Sequence, residues 1–391
     1  MTSSEIKALD AKNVMQTYGR FDVAIERGEG ATLFSPEGKE YVDFTSGIGV
    51  NSIGYGNKKW VEAITAQAMK LQHISNLFYS EPYAKLASEL TTRTDMKNVF
   101  FANAGGEANE GMIKLARKYS FDKYGKGRST IISLVQSFHG RTITTLAATG
   151  QEVFHNFFFP FTEGFKHVAA NDLKALEAEL SDDICAIMIE LIQGEGGVLP
   201  LDQDYVKAVS ELCAAKDILL IIDEIQTGVG RTGTLFAFEQ YGIKPDAVSF
   251  AKGIAGGLPM GGFIAGDKCA DVLVAGTHAT TFGGNPVCAA GALEVLSQLN
   301  AEVLAEVTKK GEYIAKTIKS WNKASVGEIR GKGLMIGIQM KGLVPKEVAQ
   351  KCVDDGLLII TAGSDALRML PPLTITYEEI DKGLAILKEQ L

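Results

Sequence analysis

Lys252 closes a short apolar run, DAVSFA, and is followed by GIAGGLPMGG. A lysine at the end of a buried strand is costly unless it is deprotonated, paired or used covalently. Burial lowers the pKa of an amine, which suits it to attack an aldehyde. Two other apolar runs end in groups able to do chemistry. ILLII is followed by Asp223 and Glu224, with Gln226 three residues after Asp223. NVFF is followed by ANAGGEANEG, where Asn103, Ala104, Gly105 and Gly106 precede an acidic helical stretch. Two glycines there let backbone N–H groups face outward at the positive end of a helix, which makes an anion site. Each feature also has a plain reading: a snorkelling lysine, a helix-capping aspartate, a tight strand-to-helix turn. A carboxylate holding magnesium for nucleotide hydrolysis would need a G-x-x-x-x-G-K-[ST] loop, which the chain lacks. Taken together, the three supply an anion cradle, a carboxylate for a protonated heteroaromatic nitrogen and an amine for an aldehyde. Pyridoxal 5'-phosphate requires that set. Glycines around Lys252 would then let a flat ring lie against the backbone.

The elements that must position these groups follow from the apolar pattern. NVFFANAG, TIISLVQSFHG, ICAIMIEL, ILLIIDEIQ and DAVSFAKG read as buried strands; EANEGMIKLARKYSFDKY, NDLKALEAEL and DYVKAVSELCAAK read as helices at 3.6 spacing. Their alternation predicts an α/β fold with a mostly parallel sheet covered on both faces. Ligands of such sheets sit beyond the carboxyl ends of the strands, where the three features stand. GEGATLFSPEGKEYVDF carries a Pro-Glu-Gly turn between two alternating runs, a hairpin. At 391 residues the chain is long enough for two domains. We divide it into an N-terminal segment over 1–45 that packs with the small domain, a large cofactor-binding domain over 46–285 and a smaller C-terminal α/β domain over 286–391. The net charge of −8, with no basic stripe, argues against a nucleic-acid partner. Five scattered cysteines without a C-x-x-C pair suit reduced thiols, and no metal site is expected. The first residues hold no apolar signal segment, and no run approaches a membrane span. The expected location is the cytoplasm.

The motifs FANAGGEANE, SFHGRT, ELIQGEGGV, IIDEIQTGVGRTG, FAKGIAGGLPMGG and THATTFGGNP resemble, in order, those of the class III, fold type I aminotransferases. The likeness runs from NVMQTYGRFDVAIERGEG to ALRMLPPLTI, nearly the whole chain. It implies a large domain with a mostly parallel central sheet, pyridoxal phosphate as cofactor, and a homodimer with shared active sites. By resemblance, Lys252 is the Schiff-base lysine and Asp223 the partner of the pyridine nitrogen. Gln226 lies near the phenolic oxygen, with Glu224 and Ile225 in the same cofactor-binding segment, and Phe138 stacks on the ring. Gly105 and Gly106 match the phosphate cradle. Thr281 is similar to the hydroxyl that reaches the phosphate of the neighbouring subunit, and Thr280 to the one beside the substrate. Arg141 resembles the arginine that grips the substrate carboxylate. Glu195 and Arg368 match a paired acid and base, and Tyr18 and Ile48 complete the substrate-binding set. His139 and His278 are assigned structural roles.

The chain also departs from that pattern. Ala104 and Gly106 stand where the family's phosphate loop reads N-S-G-T-E or N-S-G-A-E, which removes one or two hydroxyls; Tyr55 stands in Gly-Tyr-Gly-Asn-Lys where the family has G-H-x-H-P, and Leu191 replaces a proline. The expected reaction is transfer of the terminal amino group of N2-acetyl-L-ornithine to 2-oxoglutarate, in arginine synthesis, because Ile48 is smaller than the aromatic residue of ornithine enzymes. Ornithine, succinylornithine and 4-aminobutyrate are the rival amino donors. A non-catalytic protein on the same fold is the rival outside the class.

Overall fold

The structure is a computed structural model describing residues 1–391. Its long apolar runs build one seven-stranded sheet. In chain order the strands are Asn98–Ala102 (β1), Thr130–Leu134 (β2), Phe165–Val168 (β3), Ile184–Ile189 (β4), Leu219–Asp223 (β5), Ala247–Phe250 (β6) and Gly261–Ala265 (β7). In space the order is β1-β7-β6-β5-β4-β2-β3. β5 pairs in parallel with β4 and β6, and β2 pairs in parallel with β3 and β4. Only β7 runs against its neighbours, β6 and β1. Every residue of β2, β4 and β5 is buried. Strands covered on both faces have no solvent side, which is why they read as continuous apolar runs. Helix Gly105–Tyr124 packs against β7, β6 and β4, and helix Gln203–Lys216 against β5.

Two four-stranded sheets and a two-stranded one, Ile192–Gln193 with Leu199–Pro200, accompany this core. Strands Arg27–Glu29, Thr32–Phe34 and Glu40–Asp43 form an antiparallel meander. Its second turn closes by the Gly38 N–H donating to the Ser35 carbonyl at 2.9 Å, with Gly38 at φ 83°. The last of these strands pairs in parallel with Leu357–Leu358, so the meander is completed by a segment near the other end of the chain. The second sheet orders Val326–Lys332, Met335–Met340, Ala366–Met369 and Ile360–Ala362.

Helix Pro286–Gln298 packs against Lys58–Lys70, Glu81–Thr94 and the Lys252–Ala255 turn, all of which lie with the large sheet. A side chain at Gly291 would come within 2.9 Å of Trp60 Nε1, so the helix is seated closely there. By packing, therefore, helix Pro286–Gln298 sits against elements from the first 285 residues. No single helix is long and apolar enough to cross a membrane.

Candidate active site

The carboxyl ends of β1, β2, β4, β5 and β6 open on one cavity of about 700 Å³. Its wall includes Asn103, Gly105, Phe138, Arg141, Asp223 and Lys252. Parallel strands share one direction, so residues far apart in sequence reach the same edge of the sheet.

Asp223, the last residue of β5, is 4% exposed. Its carboxylate accepts from Asn109 Nδ2 at 2.7 Å, His139 Nδ1 at 2.8 Å and its neighbour Ile225 N–H at 3.0 Å. A carboxylate only accepts, so the His139 hydrogen lies on Nδ1. These donors fix the carboxylate's direction. Lys252 follows β6 in the left-handed region, at φ 43°. Its turn is tied down by the Ser52 hydroxyl, which donates to the Gly253 carbonyl at 2.8 Å. Burial pulls the Lys252 amine below its ordinary range, against the opposing pull of Glu195, Asp223 and Glu190.

Helix Gly105–Tyr124 starts at the cavity wall, and its N-cap residue Ala104 makes no side-chain cap. Its first N–H groups therefore lack a side-chain acceptor, as an anion site requires. A side chain at Gly105 would meet Ile225 Cδ1 at 2.8 Å, so a larger residue would displace the Ile225 side chain. Phe138 stands edge-on to Phe154, centroids 5.8 Å apart. The Arg141 guanidinium lies 4.1 Å from the Phe154 ring centroid and has no carboxylate partner. Glu195 and Arg368 meet in a two-point ion pair, at 2.6 and 3.2 Å. Gln226 bridges them: Arg368 donates to its Oε1 at 3.1 Å, and its Nε2 donates to Glu195 at 3.4 Å. Burial opposes ionisation of Glu195, but Arg368 outweighs it and holds the carboxyl below its usual range.

Not every expected residue joins the cavity. Glu224 points away from it, because side chains alternate along a strand and Asp223 faces the ligand side. Fully buried, Glu224 accepts from Thr227 Oγ1 and from the Ala237 and Phe238 N–H groups at 2.7–2.8 Å. Burial pushes its pKa to about 7, and its work is to hold the 236–238 turn. Thr280 accepts from Asn103 Nδ2 at 3.2 Å beside the cavity, whereas Thr281 is exposed. Ile48, at φ 65° and 42% exposed, lies outside the wall that its neighbour Val50 joins. Tyr18 is exposed and has Arg20 over its ring. Tyr55 donates to the buried Asp43 at 2.8 Å, and the Leu191 carbonyl accepts from Tyr241 at 3.1 Å. His278 meets Lys114 Nζ at 2.9 Å, away from the cavity, whereas His139 lines it behind Asp223. Asn109 and Glu190 were not foreseen. Glu190 follows the run ICAIMI and could have been found by the same strand-end rule; Asn109 carries no local signal.

With this geometry established, likeness to known proteins decides the class. The Aminotransferase class-III family profile matches residues 14–391. The chain belongs to the class III aminotransferases. A Haemophilus ducreyi acetylornithine aminotransferase is 54% identical, over 100% of this chain and 99% of that one. A Methanocaldococcus jannaschii acetylornithine aminotransferase is 43% identical, over 97% and 96%. Among solved structures, an ornithine aminotransferase from Toxoplasma gondii superposes with a TM-score of 0.95 at 31% identity, covering 100% and 95%. An N-acetylornithine aminotransferase from Stenotrophomonas maltophilia gives 0.85 at 36%, covering 98% and 97%. Class III aminotransferases are pyridoxal-phosphate-dependent transferases of fold type I, and this chain is one of them. The cavity fits that group: it joins an uncapped helix start with a close glycine, a buried carboxylate and a buried amine.

Proposed function

We propose that this aminotransferase moves the terminal amino group of N2-acetyl-L-ornithine to 2-oxoglutarate. The products are N-acetyl-glutamate 5-semialdehyde and glutamate, in arginine biosynthesis. The observation that carries the proposal is the unequal state of two arginines: Arg141 lines the cavity unpaired, while Arg368 is neutralised by Glu195. Acetylornithine brings an amine with no carboxylate beside it, and 2-oxoglutarate brings a carboxylate next to its ketone. A site that serves both needs an arginine it can switch off. With acetylornithine, Glu195 stays on Arg368 and Arg141 holds the distant carboxylate. With 2-oxoglutarate, Glu195 moves aside and Arg368 takes the near carboxylate. The 54% identical relative named for acetylornithine supports the same substrate.

When bound, pyridoxal phosphate supplies an electron sink for the substrate carbanion. Lys252 would hold the cofactor covalently and, once displaced, move a proton at its Nζ as general base. Its lowered pKa supports that role, because a neutral amine both attacks and accepts a proton. Asp223 would keep the ring nitrogen charged, its orientation set by Asn109 and His139. Gly105 and Gly106 would offer N–H groups to the phosphate, and Phe138 and Ile225 would border the ring. Gln226 would reach the phenolic oxygen and Thr280 would border the substrate, whereas Ile48 and Tyr18, which stand off the cavity wall of the single chain, would border it only in the shared site of a dimer.

A homodimer that shares its sites completes the proposal. Leu77, Phe78 and Phe282 are 87%, 64% and 59% exposed on the single chain. Asn76 donates to the Gly283 carbonyl at 3.0 Å, which holds both segments in one apolar face beside Thr281. Monomeric proteins rarely leave such a face open. We also infer a cytoplasmic location, supported by five unpaired cysteines. The two ends of the chain would form one small domain, joined by the pairing of Glu40–Asp43 with Leu357–Leu358.

The test is turnover by the purified, cofactor-loaded protein, with glutamate and semialdehyde measured. Acetylornithine should exceed ornithine, succinylornithine and 4-aminobutyrate in kcat/KM. A preference for free ornithine or 4-aminobutyrate would overturn the substrate, and no turnover with any of them the activity.

A further inference from the structure

Glu190, just after β4, lines the cavity and is 7% exposed. It shares this corner with Asp223: an oxygen of each carboxyl and a ring nitrogen of His139 all lie within 4.8 Å of one another. The two carboxyls are supplied very differently. Asp223 receives Asn109, His139 and the Ile225 N–H, with Ser249 Oγ at 3.4 Å. Glu190 has only the Phe138 N–H beside it, and its Oε2 has no hydrogen-bond partner. The other charges facing it are Glu195, which is spent on Arg368, and the Lys252 amine. Two carboxylates this close in a buried corner do not both ionise, and the one with fewer donors takes the proton.

We propose that Glu190, at the cavity wall, is kept as a neutral carboxylic acid whose O–H donates a hydrogen bond to an electron-rich oxygen of the ligand bound over Asp223 and Lys252. The proton fits the orphaned oxygen: a neutral carboxyl leaves the buried Oε2 without a donor at far less cost than a carboxylate would. Neutrality has a second consequence. An ionised Glu190 would add a negative charge facing Lys252 and favour its ammonium form. A protonated Glu190 leaves the amine free to react. Burial pushes the Glu190 carboxyl well above its usual range, and the neighbouring Asp223 and Glu195 carboxylates add to the effect.

The protonation can be tested without cofactor. In the apoprotein at about pH 8.5, where Glu224 with its pKa of about 7 is ionised, infrared spectra should show the carbonyl stretch of a protonated carboxyl. The band should shift when glutamate is 13C-labelled and vanish in Glu190→Gln. Labelling uses the wild-type chain, so it reports even if the variant misfolds. A spectrum with no glutamate carboxylic-acid band overturns the proposal. The donor is tested on the holoenzyme. Glutamine keeps a donor and the neutral charge, so Glu190→Gln should leave the pH midpoint of the cofactor's visible absorbance unmoved. An ionised Glu190 would instead predict a fall of about 1–3 units on the same change. Glu190→Met, which keeps size and loses the donor, should weaken pyridoxal phosphate binding by about tenfold. Unchanged binding overturns the donor role. These binding tests rest on Lys252 holding the cofactor; the infrared band does not, so failure of one is separable from failure of the other.

Discussion

Replacing Glu195 with alanine isolates the switch between two substrates. Arg368 is 2% exposed, and both of its short ionic contacts go to Glu195. After the change it keeps the Gln226 Oε1 contact, and its Nε already has no partner. Removing one member of a buried pair costs about 3–5 kcal/mol, because the remaining charge is left uncompensated. The Glu195 side chain is 28% exposed, so water reaches the pair's edge and the lower end of that range applies. A carboxylate that reaches Arg368 in the variant no longer has to displace Glu195. Recovering half of that cost would tighten 2-oxoglutarate and glutamate by about tenfold. Acetylornithine has no carboxylate for that position, so its half-reaction should slow by a similar factor. Single-turnover absorbance of each half-reaction reads both changes. Thermal melts should show lower stability that 2-oxoglutarate restores more strongly than in the wild type. Arg368 holds the Glu195 carboxyl below its usual range, so the pair stabilises the wild type above pH ~4.3 and is lost as pH falls through the lowered value. Two half-reactions slowed alike, with no extra rescue by the dicarboxylate, would refute the switch and leave a fixed structural pair.

Lys252→Ala should abolish turnover, and borohydride reduction of the wild type should leave the pyridoxyl group on Lys252 alone; its recovery on another lysine would reassign the site. Burial lowers the Lys252 pKa, so folding works against its charged form and the apo variant should be at least as stable as the wild type at pH 7. That difference should shrink as pH rises towards the amine's ordinary ~10.4. His139→Ala removes a 2.8 Å donor to Asp223, and kcat should fall about tenfold with KM for either substrate little changed. Ile48→Tyr should move the kcat/KM ratio from acetylornithine towards ornithine; an unmoved ratio would place Ile48 outside the substrate path. Sedimentation should show a dimer, and a fully active, cofactor-loaded monomer would exclude shared sites.

Much of this protein is written in local sequence. Strands covered on both faces leave continuous apolar runs, so five of the seven large-sheet strands and the helices between them are visible from period and composition alone. The strand-end rule then points to Asp223, Gly105 and Lys252, because parallel strands deliver their last residues to one edge. What depends on distance along the chain is not visible there. The pairing of Glu40–Asp43 with Leu357–Leu358, and the seating of helix Pro286–Gln298 on Trp60, join segments more than 200 residues apart. No pattern within a window of the chain encodes either. The same holds in the site. Asp223 and Glu224 are adjacent acids, and only the strand's alternation in its folded setting sends one to the cavity and the other to cap a turn. Asn109 looks like any helical asparagine until the fold brings it 2.7 Å from Asp223. Glu190 is one strand-end acid among several until the structure sets it within 4.8 Å of a better-supplied carboxylate. The residue types establish which chemistry is available. Which carboxyl carries charge and which carries a proton is decided by neighbours that only the tertiary fold brings together.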